Sequence, residues 1–289
     1  MKNLINYFYG IQITEYKKRN NSFYFIDNKN EFEFVEFYGD INNLLNLFSF
    51  LKQSNMEVDE IILNNQNSFL THYENKTYIL LKKNNHNRVN INLDDIQNYD
   101  INIYIKGKIN WKDLWKEKID YYELQLEETG INYPLLKETF SYYVGLSESA
   151  INLLNYIDLN NVELYISHKR LENGYDLLNP LNIILDSKSR DIGEYIKKMF
   201  FEDKISENDI AEMIKNIFFT NDEAILFLSR LIYPSYYFDM YEKIYNKNDT
   251  EENLKKITKK NTEYEVFLKK IYMYLKQKYD MPQIEFLEI

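Results

Sequence analysis

The sequence contains no cysteine, which excludes disulfides, thiolate metal sites and cysteine nucleophiles. It also lacks any run of about 18 apolar residues, so no segment is expected to span a membrane. The opening MKNLINYFYGIQITEY has no continuous apolar core of the kind a signal peptide needs, and synthesis and retention in a cytoplasm are expected. Basic clustering is missing too. Net charge is -10, and the nearest approach to a basic patch, KKITKK near residue 255, reads as a solvated helix face; no nucleic-acid partner is expected. The three histidines, His72, His86 and His168, are far apart and show no metal-ligand spacing. Glycine (7) and proline (4) are scarce while tyrosine (27) and asparagine are abundant, a bias that an AT-rich coding sequence produces.

What is present is a chain of 289 residues, long enough for one large domain or two lobes. At that size folding buries about three quarters of the unfolded surface. Residues 1–83 read as a β-rich N-terminal lobe of order β-β-β-α-β-β. IQITEY, SFYFID and EFEFVEFY are strand-like, with KKRNN and NKN as turns. INNLLNLFSFLKQS spaces Leu44, Leu47, Phe48 and Leu51 as a helix does, and VDEIIL and KTYILLKK follow as strands. Residues 84–110 are polar and aperiodic, a linker. Residues 111–289 form a helical C-terminal lobe. There Trp111, Leu114, Trp115, Lys118, Ile119 and Tyr122 fall on one helix face. SESAINLLNYI, RDIGEYIKKMFF, SENDIAEMIKNIF and TNDEAILFLSRLIY are further helices. Ser206 with Asp209, and Thr220 with Glu223, stand at capping-box spacing. The short strands VELYI and NIIL interrupt this helical run. The order gives an α+β, bilobal, protein-kinase-like fold.

Phosphoryl transfer needs few protein parts. The turn between the first two strands should carry glycine, and KKRNN has none. Lys17, Lys18 and Arg19 read as a solvated turn. The third strand should carry a lysine, yet no Lys or Arg occurs between Asn30 and Leu51; Glu33 and Glu36 lie there instead, and Asn42 and Asn43 occupy the place of the partner glutamate. The stretch 166–191, ISHKRLENGYDLLNPLNIILDSKSRD, accommodates the catalytic loop in two registers. In one, His168-Lys169-Arg170 is the triplet. Arg170 then replaces the base, a task arginine cannot perform near neutral pH, and His168 holds the loop. In the other, Asp176 is the base and Asn182 a magnesium ligand, with Asp186 or Asp191 completing the metal site, although these lie too close in sequence to leave room for a hairpin. Asp191 also reads as a helix cap or loop brace.

Several segments resemble the kinase-like spore coat proteins of endospore-forming Firmicutes, the YutH-type group related to CotS-like proteins. They are WKDLWKEKIDYYELQLEE, TFSYYVGLSESAINLL, YISHKR, DSKSRDIGEYIKKMFF, LSRLIYPSYYFDMYEKIY and the ending MPQIEFLEI, in that order. The resemblance implies a fold like the aminoglycoside and choline phosphotransferases, a place in the spore coat after synthesis in the mother-cell cytoplasm, and other coat proteins as partners. The catalytic pattern is itself degraded in that group, so no catalytic residue carries over; Arg190 and Asp191 carry over as a loop brace beside His168 and Arg170. Residues and resemblance together lead to a non-catalytic, pseudokinase-like coat component with no cofactor or metal. The alternative is a small-molecule kinase using ATP and magnesium, with Asp176 as base and Asn182, Asp186 and Asp191 at the metal. A third reading is a module that binds a non-nucleotide ligand.

Overall fold

The computed structural model describes residues 1–19, 21–84, 91–93, 96, 105–129, 132–171, 173–205, 214, 217 and 219–288. The expected helix SENDIAEMIKNIF with its Ser206–Asp209 cap, His86 and most of the expected linker lie outside the described residues. The chain divides into two compact units, 1–101 with 168–184, and 102–167 with 185–289. The segment from His168 to Ile184, which the sequence pattern assigns to the helical lobe, therefore belongs with the N-terminal unit.

The first unit is built on an antiparallel sheet. Its elements are α1 (Lys2–Tyr9), β1 (Lys17–Arg19), β2 (Ser22–Asp27), β3 (Asn30–Glu36), α2 (Ile41–Gln53), β4 (Glu60–Ile62), β5 (Thr71–Tyr73) and β6 (Lys76–Lys82). The strands lie in the order β1-β2-β3-β6-β4, with β5 also on β6. Two-residue turns close the β2–β3 and β5–β6 hairpins. Asn28 and Lys29 join β2 to β3, and Glu74 and Asn75 join β5 to β6, all four with positive φ. That geometry matches the right-handed twist of the strands. The apolar run of β6 is explained by burial on both faces. Tyr78 and Leu80 pack with Phe25, Phe32, Phe34 and the α1 residues Leu4 and Ile5. Ile79 and Leu81 pack on the other side with Leu44 of α2 and Ile61.

Two expectations fail here. IQITEY is not a strand; its Ile13 joins the cluster around α1, and strand pairing begins at Lys17, within the segment expected to be a turn. The helix α1 was not foreseen. It ends at Gly10, whose φ of +69° lets its N–H cap the helix on the Asn6 carbonyl.

The second unit begins with β7 (Ile105–Gly107), paired antiparallel with β8 (Val162–His168) in a three-stranded sheet completed by β9 (Ile183–Asp186). Gly107 packs closely, since a Cβ there would meet the Leu164 side chain at 2.5 Å and force it to shift. Around this sheet stand α3 (Trp111–Thr129), α4 (Pro134–Leu153), α6 (Ser189–Phe201), α7 (Asn221–Ile232), α8 (Ser235–Tyr245), α9 (Glu251–Thr258), α10 (Asn261–Lys278) and α11 (Glu285–Glu288); α5 is the short helix Gly174–Leu178 of the first unit. Every residue of α7 from Glu223 to Ile232 is buried, which marks it as the central helix. The Thr220–Glu223 capping box starts it as expected. On α3 the buried residues are Trp111, Trp115, Ile119 and Tyr122; Leu114, expected on that face, points to solvent. Many tyrosines fill the core. Tyr143 stacks on Tyr237 with centroids 3.7 Å apart, and Tyr264 donates its hydroxyl to the Leu231 carbonyl at 2.7 Å.

A polar cluster ties α6 to α7 and α8. Lys197 Nζ, buried, donates to Glu194 at 2.8 Å, to Ser235 Oγ at 2.7 Å and to the Tyr233 carbonyl at 3.0 Å, while Arg230 Nε lies 2.6 Å from Glu194. Burial pushes the Glu194 carboxyl up, but Lys197 and Arg230 outweigh it and hold it at about 2. Its stabilising contribution is therefore full above the ordinary carboxylate value and lost as pH falls toward about 2. Glu194→Gln should cost about 2 kcal/mol at neutral pH, the scale of a lost hydrogen bond to a charged group. That cost should shrink as pH falls, and urea unfolding at a series of pH values measures both.

Candidate functional site

Lys83, immediately after β6, is buried and carries its ammonium between two carboxylates. Nζ lies 2.7 Å from Glu33 of β3 and 3.0 Å from Asp59, just ahead of β4. Strand pairing brings them together. Phe32 of β3 is in register with Lys82, as is Glu60 of β4, and the Lys83 N–H donates to the Glu31 carbonyl at 2.9 Å. The remaining oxygens are also held. Ser22 Oγ donates to Glu33 at 2.6 Å, and the Asn84 N–H donates to Asp59 at 3.1 Å. Burial lowers the Lys83 pKa, but Asp59 and Glu33 more than offset this and raise it above its ordinary value. For Glu33, burial is outweighed by the Lys83 charge, and its carboxyl is held below the usual range. Asp59 is moved the other way, its burial exceeding the help from Lys83.

Glu33 and Lys83 of this triad line part of a cavity of about 430 Å³ within the first unit. Arg19, Tyr24 and Asn21 contribute from the sheet, and Tyr175, Asp176 and Asn182 from the segment after β8. Arg19 lies over the Tyr24 ring, 4.7 Å from its centroid.

The loop from His168 to Asn182 is stitched by its own polar groups. His168, buried at the end of β8, donates Nε2–H to the Leu177 carbonyl at 3.1 Å. Asn182 accepts the Arg170 N–H at 3.1 Å, and its amide donates to the carbonyls of Arg170 at 2.6 Å and Asp176 at 3.0 Å. Both amide hydrogens and one lone pair of Asn182 are thus engaged in bracing the loop. Arg170 contributes its backbone to this brace. Asp176 is the third residue of α5, where its carboxylate accepts the Asn173 N–H at 3.0 Å, half of a capping box with Asn173. The spacing of Asn173 and Asp176 carries that signal in the sequence. The Asp59 N–H, donating to the Leu178 carbonyl at 2.8 Å, joins the loop to the triad.

Asp186, Arg190 and Asp191 belong to the second unit. Asp186 is buried and accepts from Trp111 Nε1 at 3.0 Å, from the Ser187 N–H at 2.7 Å and from Arg190 at 2.8 Å. Asp191 does not cap α6, because that helix already starts at Ser189; it lies buried in the first turn, where a negative charge suits the helix N-terminus. Among the described residues no three His, Asp or Glu side chains are grouped as a metal site would require. Lys83 and Asp59 were not singled out from the sequence. Each stands beside another charged residue at a strand end, and nothing local marks the pairing.

A family model described as "Spore coat putative kinase YutH" matches residues 2–271. The chain belongs to this YutH family. The endospore coat-associated protein YutH of Bacillus subtilis (strain 168) is 28% identical over 233 residues, 70% of this chain and 69% of that one. Among solved structures, an aminoglycoside phosphotransferase from Alicyclobacillus acidocaldarius is similar with a TM-score of 0.61 at 10% identity, over 93% of this chain and 94% of that one. A spectinomycin phosphotransferase in complex with ADP and spectinomycin follows with a TM-score of 0.54 at 13% identity, over 84% and 86%. These likenesses establish for this YutH-family chain an aminoglycoside-phosphotransferase-like α+β fold.

Removing the ammonium of Lys83 leaves two buried carboxylates facing one another. Lys83→Met should cost about 3 kcal/mol or more. Adding Glu33→Gln and Asp59→Asn should restore much of the loss, and urea unfolding of the single and triple variants measures it.

Proposed function

We propose that this protein is a non-catalytic, kinase-fold component of the spore coat, acting through contacts with other coat proteins. The observation that carries the reading is the reversed charge on β3. A kinase of this architecture places a lysine on its third strand to neutralise nucleotide phosphate. Here that strand presents Glu33, and the nearest ammonium, Lys83, is already compensated by two carboxylates. A polyphosphate approaching the triad would meet a net negative charge in a partly desolvated setting, which is costly. The family membership and the Bacillus relative's description as endospore coat-associated support the location.

One observation favours the competing kinase reading: Asp176 and Asn182 both line the cavity. Against it, Asn182 braces the loop and Asp176 caps α5. The two readings predict opposite results in a thermal-shift experiment with ATP and magnesium. The coat-component reading expects no change in Tm. A magnesium-dependent rise, on the scale of the 2.7 kcal/mol or so that a ligand at 100 times its Kd supplies, together with ATP-dependent phosphate release abolished by Asp176→Asn, would establish the kinase instead.

A further inference from the structure

We propose that the second unit self-associates head to tail, the solvent face of α3 in one copy pairing with the solvent face of α10 in the next. Both helices bury one apolar face in the core, as amphipathic helices do. Both also carry a second apolar stripe on the opposite side. On α3, Leu114, Tyr121 and Leu124 are 56%, 56% and 63% exposed. They recur with Glu117 and Glu128 at alternating steps of three and four residues, the spacing of a coiled-coil seam. On α10, Val266 and Met273 are 43% and 50% exposed, seven residues apart. Lys269 and Lys270 border them midway along the stripe, with Glu263 at its start and Lys276, which pairs with Glu288, at its end. The two helices are of nearly equal length, 19 and 18 residues, so the seams can run alongside each other over their full extent.

Charge decides which face meets which. A symmetric α3–α3 pair brings the glutamates of one seam against those of the other, and a symmetric antiparallel α10–α10 pair sets the central Lys269 and Lys270 of one copy against those of the other. Like charges across an interface are costly and opposite charges fix the register. Only the cross pair matches Glu117 and Glu128 with Lys269 and Lys270 while covering the apolar residues of both stripes. Pairing two different faces is heterologous. It leaves one free α3 and one free α10 at the ends of every open assembly, so it closes into a ring or grows as a chain. That is a property suited to a layer-forming component.

Sedimentation velocity of the full chain across a concentration series tests this. The wild type should show a mean mass that rises with concentration and falls back toward the monomer at high salt. Leu124→Glu and Met273→Glu should each sediment as monomers with the wild-type far-UV circular dichroism. Mixed in equal amounts they should form a heterodimer and nothing larger, because one retains α10 and the other α3. If either variant is misfolded, Glu117→Lys and Lys269→Glu should each stay monomeric alone and assemble again when mixed, because the reversed charges complement one another. A wild type that stays monomeric throughout the series, or an assembly that survives either single substitution, overturns the proposal.

Discussion

The ammonium of Lys83 between Glu33 and Asp59 is the contact on which the first unit depends. Three strands meet at this point. Glu33 lies within β3, Lys83 follows β6 and Asp59 leads into β4. Without the lysine, the sheet would hold two buried carboxylates with no countercharge. Without the carboxylates, the lysine would be the uncompensated group. Asp59 also passes its backbone N–H to the loop after β8, so the same triad anchors the segment that resembles a catalytic loop. Structural and functional readings therefore rest on one charge arrangement.

The loop after β8 is braced by its own polar groups. A kinase loop needs its acid and its asparagine turned outward toward metal and substrate. Here Asn182, although it lines the cavity, joins Arg170 to Asp176 through three hydrogen bonds, and Asp176 helps to cap a five-residue helix. His168 holds α5 to β8. The residue types of a catalytic loop remain while their polar atoms serve the loop's own backbone.

The fold class was legible from the sequence because the two hydrophobic periods are well separated. Strand-like runs dominate before residue 83 and helical spacing after 110. What was not legible came from context. IQITEY alternates as a strand does, but α1 uses its Ile13 as core, and α1 itself carried no recognised start signal. Leu114 fits the apolar spacing of α3, yet the bulk of Trp111, Trp115 and Tyr122 defines a buried face that leaves it outside. The missing lysine of β3 was visible as an absence. Its replacement was not, because Lys83 and Glu33 are joined only through strand pairing. The Asn173–Asp176 cap was present in the sequence as a spacing, and was overshadowed by the resemblance of Asp176 to a catalytic base.

The central claim is that Lys83 serves the sheet and not a phosphate. Its side-chain nitrogen can be observed directly by NMR in protein labelled with 15N-lysine, assigned through the Lys83→Met variant, and titrated with ATP and magnesium. The account predicts a protonated ammonium whose resonance is unchanged by the nucleotide. A saturable shift of that resonance on adding ATP and magnesium would contradict it.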